Sequence, residues 1–397
     1  MKIMSDIIKL LIVLSLIVLL LRWKYKIGIV LLSASALLSI LYLMPPKEII
    51  LNISDAVSNT ITIKLGISLV MIRVLELILR ENNILAEMME ASKSLFRNRK
   101  LVIVSMPMLI GILPSLGGAY FSAPMVNEST KNLKMSQEEK GFVNFWFRHP
   151  WEYILPLYPG LLLASSISDV ELRTLILINL PYAVTMLLTG FLFSMREVKG
   201  NVEYVSVSRK GLYSFIPIGL IILLVMILKV ELHLSLIILV IGLLIFYRYG
   251  AINILKALKY GFALDVILLV FGVMLFKELM EGTGAVRNLG EFFISKGIPI
   301  MPLLFILPFI SGFLTGITVG SIGSTFPLLL HMLHGSPLGA VSFAFASAYL
   351  GVLLSPVHIC LILTREYFKA DMWMLYKKIL LSCAAIFLVA VIEYLVL

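Results

Sequence analysis

Ten apolar runs fill nearly the whole of a 397-residue chain and leave no connecting stretch long enough to fold as a soluble domain. The runs are 7–21, 27–44, 57–79, 142–165, 172–195, 212–228, 232–247, 262–280, 338–363 and 375–397. Crossing a bilayer takes about 20 mostly apolar residues, and in hydrocarbon only a helix or a closed barrel satisfies its own backbone. With 60% hydrophobic and 14% charged residues, the chain lies far from the usual soluble balance. An all-α polytopic protein of the cell membrane is therefore expected, with the lipid bilayer as its solvent.

The first run is expected to remain as a span, because no small-residue cleavage site follows it before Arg22 and Lys24. The only cysteines, Cys360 and Cys383, both fall in apolar helices. They support neither a disulfide framework nor a four-ligand zinc site and read as packing residues.

A net charge of +10 raises the question of nucleic acid. The basic residues instead crowd alternate loops, as in membrane proteins whose cytoplasmic loops are positive. With the N-terminus outside, only Lys2, Lys9, Lys47, Arg173, Lys229, Arg287 and Lys296 fall in outer segments. Both termini are expected outside, with no nucleic-acid partner.

Two further stretches are apolar yet too broken to be ordinary spans. The first, 101–126, contains Pro107, Gly111, Pro114, Gly117, Gly118 and Pro124; the second, 300–330, contains Pro302, Pro308, Gly312, Gly316, Gly320, Gly323 and Pro327. Each reads as a re-entrant helical hairpin. Pro107, Gly111 and Leu113 recur as Pro308, Gly312 and Leu314 at a constant offset of 201. The spans that follow, 142–165 and 338–363, are interrupted at Pro150 and Pro356, with 148–152 read opposite 354–358. Residues 1–200 and 201–397 then form two repeats of five spans plus one hairpin, and the odd span number inverts the second. The charged stretches 81–100 and 281–297 read as interfacial arms.

Paired interruptions in inverted halves mark the central site of a carrier. A helix broken in mid-membrane exposes unpaired N–H groups at one end and carbonyls at the other, which attract anions and cations respectively. Ser115, Gly117, Gly118 and Ser122 in the first hairpin, with Thr318, Ser321, Gly323, Ser324 and Thr325 in the second, are the candidate substrate-binding residues. His149, Glu152, Ser355 and His358, beside the breaks at Pro150 and Pro356, are the candidate ion-coupling groups, since intramembrane charge is costly unless it works. Arg148 belongs to the same cluster. Arg73 with Glu76 and Lys277 with Glu278 read as snorkelling or structural pairs, Asp265 as a cap, and His331 with His334 as surface residues.

The layout resembles the ion transporter superfamily. More narrowly, PMLIGILPSLGGAYFSAP, FRHPWEYILPLYPG, SGFLTGITVGSIGSTFP and LSPVHICLILTREY resemble the branch known as domain of unknown function 401. The broader resemblance implies an elevator, in which hairpins and broken helices move against a static and usually dimeric scaffold. Dicarboxylate carriers of that superfamily place Ser-Asn-Thr at each hairpin tip. Here the tips read Leu116, Gly117, Gly118 and Ile322, Gly323, Ser324, Thr325, so the dicarboxylate signature is missing.

The expected function is secondary transport of a small, anionic solute coupled to Na+ or H+, with a cation/proton antiporter as the alternative. No cofactor or bound metal is expected. An enzyme is not expected, because the chain has no His-Glu-x-x-His zinc motif, Gly-x-Ser-x-Gly elbow or Walker loop.

Overall fold

The computed structural model describes residues 2–23, 25–84, 86–88, 91, 96, 98–112, 114, 118–195, 198, 209–284, 299–332 and 337–397, with main chain only at 2–5, 18, 22, 209, 210 and 331. Ser115, Leu116, Gly117, His334, residues 85, 89, 90, 92–95 and 97 of the first arm, residues 285–297 of the second and the side chain of His331 lie outside the described residues. The described chain is helical throughout, without a β-strand. In order the helices are α1 (Lys2–Arg22), α2 (Ile27–Leu41), α3 (Pro46–Ser58), α4 (Thr60–Glu81), α5 (Arg99–Gly111), α6 (Gly118–Ser129), α7 (Gln137–Trp146), α8 (Trp151–Ile154), α9 (Pro159–Ser168), α10 (Leu172–Ile178) and α11 (Leu180–Ser194). The second half continues with α12 (Arg209–Tyr213), α13 (Ile216–Ile222) running into a π-turn, α14 (Leu232–Phe246), α15 (Ala251–Gly261), α16 (Leu264–Thr283), α17 (Met301–Thr315), α18 (Thr318–Met332), α19 (Leu338–Leu353), α20 (Ile359–Phe368) and α21 (Met372–Val396).

Two continuous stretches, Leu172–Ser194 and Met372–Val396, are each long and apolar enough to cross a membrane. The other runs are shorter, or are interrupted by charge or by breaks. α4 carries Lys64, Arg73 and Glu76, and α16 carries Asp265, Lys277 and Glu278. The runs 142–165 and 338–363 are each split into separate helices. Large apolar side chains still cover the outside, as at Ile40, Leu188, Ile245 and Leu388. A helical fold with an apolar exterior is what a helical membrane protein requires.

Helix order and length in the first half recur in the second. α2 and α14 both have 15 residues, α9 and α20 both have 10, and α4 and α16 have 22 and 20. The amphipathic α3 and α15, which the hydropathy runs did not mark, precede α4 and α16 in turn. Asp169 and Lys369, 200 positions apart, end α9 and α20 in the left-handed conformation.

Both Gly/Pro-rich stretches are helix pairs broken between their arms, α5 with α6 and α17 with α18. α19 lies at the centre of the second pair's surroundings, and every residue from Gly339 to Leu353 is buried. Its small residues permit close backbone approach, the device that packs helices where no hydrophobic drive separates them from lipid. A methyl group on Gly312 would collide with the Ala348 carbonyl, and one on Gly351 with that of Phe309. Elsewhere α2 and α16 cross through Gly28 and Gly272, and Gly323 of α18 rests against Val273 and Leu31 of that pair.

Candidate functional site

The sequence breaks α7–α8–α9 twice. The first break, at residues 147–150, holds Arg148, His149 and Pro150; the second, at 155–158, holds Pro156 and ends at Tyr158. The matching break between α19 and α20 spans residues 354–358, with Pro356 and His358. Offset 200 pairs Pro356 with Pro156, not with Pro150, and pairs His358 with Tyr158 as the residue before each following helix. Reading 148–152 opposite 354–358 is therefore corrected: Pro150 belongs to an additional turn that only the first half has.

Broken backbone needs partners at depth, and the side chains at the breaks supply them. Tyr158 Oη donates to the Gly111 carbonyl and His358 Nδ1 bonds the Gly316 carbonyl at 2.8 Å. Ser355 Oγ donates to the Phe313 carbonyl at 2.6 Å and Trp151 Nε1 to that of Met108 at 2.7 Å. Tyr349 Oη donates to the His149 carbonyl at 2.9 Å. Tyr158 and His358, the residues just before α9 and α20, thus tie their spans to the adjacent helix pair. Gly316, at φ +65°, turns the chain at the end of α17 and leaves room for the His358 backbone.

Between these breaks lies a cavity of about 250 Å3 lined by Arg148, His149, Glu152, Tyr158, Thr318 and His358, with Pro114, Gly160, Gly316 and Cys360 among its walls. The starts of three helices contribute to that lining: Pro159 and Gly160 of α9, Thr318 and Val319 of α18, and Ile359 and Cys360 of α20. Neither α9 nor α20 has a side-chain N-cap bond, so first-turn N–H groups there are not spent on a capping side chain. Arg148, His149 and His358 are buried, and Glu152 is half-buried and accepts a 2.8 Å bond from Thr318 Oγ1. A methyl on Gly160 would meet Thr318, and one on Gly118 would meet the Arg148 guanidinium. Both glycines keep space around the polar groups.

His149, Glu152, His358, Thr318 and Gly118 therefore converge, and Pro150 and Pro356 terminate the elements that bring them there. The other hydroxyls turn away. Ser122 donates to Asn144 Oδ1 at 2.7 Å, and Asn144 Nδ2 in turn reaches Ala119 O and Thr364 Oγ1. Ser321 bonds the Pro308 carbonyl, Ser324 bonds Ser311 Oγ and Gly320 O, and Thr325 bonds Ser321 O. Ser321 and Ser324 thus join α17 to α18, Ser122 joins α6 to α7, and Thr325 bonds within its own helix. Ser355 likewise serves the backbone, and Gly323 serves packing.

Sequence reasoning missed Tyr158, Gly160 and Cys360. Tyr158 and Gly160 stood in the quoted motif, but the Pro150 alignment hid their place. Cys360 faces the site because it is the second residue of α20, directly after the break.

A family model described as "Protein of unknown function (DUF401)" matches residues 5–397. The chain belongs to the DUF401 family. A search of curated proteins finds no match to it. Every motif of this DUF401 chain discussed above falls inside the matched region.

Proposed function

We propose that this DUF401 protein is a secondary carrier that moves a small anion across the cell membrane together with H+ or Na+. The observation that carries the reading is the convergence of three helix starts and Arg148 on one small cavity between the two halves. Helix N-termini and a guanidinium favour negative charge, and a recess of about 250 Å3 suits a solute of only a few heavy atoms. The two broken helix pairs and the recurrence of helix order support an inverted-repeat, ten-span, elevator arrangement of the ion transporter superfamily type. That arrangement brings with it a homodimeric scaffold and outward-facing termini.

Glu152 supplies the coupling. A carboxylate beside an anion repels it, and a cation or proton bound at Glu152 removes that repulsion, so the two species enter together. The lining has a single carboxylate and two imidazoles among the described residues, a set better matched to a proton than to the oxygen cage a sodium ion prefers.

Reconstituted protein in liposomes tests the proposal. A panel of labelled small carboxylates, phosphate and sulfate is offered under an imposed proton gradient, under a sodium gradient and under neither. Uptake of at least one anion driven by the proton gradient is expected. A pH change on adding external cations, with no anion uptake, would instead establish the cation/proton antiporter favoured by Glu152 alone. No flux of either kind defeats both.

A further inference from the structure

The two histidines of the site face one another through their ring nitrogens. His149 Nδ1 bonds the Phe145 carbonyl at 2.5 Å and His358 Nδ1 bonds the Gly316 carbonyl at 2.8 Å. A carbonyl oxygen can only accept, so in both rings Nδ1 carries the hydrogen. Each neutral ring then turns the lone pair of Nε2 toward the other, and the two Nε2 atoms stand 3.1 Å apart. Two lone pairs at that distance repel unless a proton or a metal ion lies between them, and the third donor beside them is what points to a metal.

Backbone carbonyls that fix Nδ1–H and free Nε2 are the arrangement that orients histidine for metal. A third donor completes the set, since Cys360 Sγ and both Nε2 atoms lie within 4.8 Å of one another. Ligands at zinc distances of about 2.0–2.3 Å in a tetrahedron stand about 3.3–3.8 Å apart. The imidazoles are already near that spacing, and the sulfur reaches it by an inward movement of about an ångström. His149 is rooted at the first-half break, whereas His358 and Cys360 flank the start of α20, so the ligands come from both halves.

We propose that His149, His358 and Cys360 bind one borderline or soft transition-metal ion, Zn2+ or Cu+, with the fourth position open to the cavity. Two imidazoles and a thiolate select such ions over Mg2+ and Ca2+, which require oxygen. Binding releases the Cys360 thiol proton to solvent, and the sulfur is the thiolate donor in the complex. Cys383, the other cysteine, lies in α21 and takes no part. The inference does not depend on transport, and an ion there adds positive charge facing any anion in the recess.

Chelator-treated, reduced protein in detergent is titrated with Co2+ as a spectroscopic stand-in for zinc, and then with Zn2+ in competition. One equivalent is expected to bind, with visible bands of tetrahedral cobalt and a near-ultraviolet sulfur-to-cobalt charge-transfer band, both erased by zinc. Cys360→Ser should lose the charge-transfer band and weaken binding by roughly tenfold or more, while Cys383→Ser keeps both. His358→Gln should weaken binding similarly, and the cysteine pair gives the answer even if that variant does not fold. The proposal is overturned if the wild-type protein binds no stoichiometric metal, or if Cys360→Ser and Cys383→Ser titrate alike. Failure of anion uptake would leave these spectra unchanged, so the two readings fall separately.

Discussion

Gly312 lies so close to the main-chain carbonyl of Ala348 that a single methyl on its α-carbon would overlap that oxygen, and Gly111 stands in the same relation to the carbonyl of Arg148. The offsets are 201 for the glycines and 200 for their partners, so each helix pair is pressed against its broken span by an equivalent contact. Backbone cannot yield as a side-chain end does. Gly312→Ala and Gly111→Ala are each expected to cost about 1–3 kcal/mol, read as a lower unfolding midpoint in detergent. Gly242→Ala in α14, where nothing lies within 4 Å, should be neutral or slightly stabilising.

Thr318 and Glu152 link α18 to α8 across the cavity through their 2.8 Å bond. Thr318→Val keeps the shape and removes the donor, leaving a half-buried carboxylate short of a partner at a cost of about 1–3 kcal/mol. Folded yield should survive and uptake should fall by roughly tenfold or more. Glu152→Gln should abolish gradient-driven accumulation while the protein stays monodisperse. Full proton-driven uptake by Glu152→Gln would remove that residue from the coupling.

Asn144 holds three helices at once, accepting from Ser122 of α6 and donating to Thr364 of α20 from its own place in α7. The group is fully buried. Asn144→Leu removes the bonds to Thr364 and Ala119 O and leaves Ser122 only long 3.4 Å bonds to Gly118 O and Ala119 O, so it should destabilise by more than Ser122→Ala, whose one short bond is worth about 1 kcal/mol. Thermal unfolding of the two variants gives the order. Equal stability would mean that the network is not closed as described.

On the edge of the fold, Glu138 Oε1 accepts from the Asp371 backbone N–H at 3.1 Å and joins the start of α7 to that of α21. This bond, followed by others from its own backbone and Ser136, holds the Glu138 carboxyl below its ordinary range. A carboxyl with a lowered folded value stabilises above its unfolded pKa, about 4.3, and loses that contribution as pH falls through the folded value. Glu138→Gln should therefore lower the melting temperature at neutral pH and flatten its acid decline. The two proteins should converge in acid below that range. A difference that grew with acidity would reverse the sign and refute the assignment.

The parts of the fold legible in sequence were those governed by single residues with strong backbone consequences. Gly316, Pro156 and Pro356 stand at the breaks, Pro308 and Gly312 with Pro107 and Gly111 lie within helices and mark the recurring pair, and ionisable residues in apolar surroundings single out His149, Glu152 and His358. The bonding of serine and threonine was not legible for a physical reason: a hydroxyl can bond a carbonyl one turn back or cross to a neighbouring helix, and the sequence does not say which. Ser122, Ser321, Ser324 and Thr325 are spent in that way, while Thr318, at a helix start, faces the cavity. Cys360 looked like apolar filling because its direction is set by the break just before α20. The helices α3 and α15 escaped notice because their polar faces interrupt the hydropathy runs.

The claim on which the account rests is that the recess among α9, α18 and α20 accepts negative charge, and the thermal stability of purified protein against small ions tests it most directly. Ligands that prefer the folded state raise its melting temperature. At least one small carboxylate or oxyanion should raise it in a saturable way at constant ionic strength, with the rise lost in Arg148→Gln and retained in Gly242→Ala. If no anion stabilises the wild-type protein, or if Arg148→Gln responds as the wild type does, the recess is not an anion site.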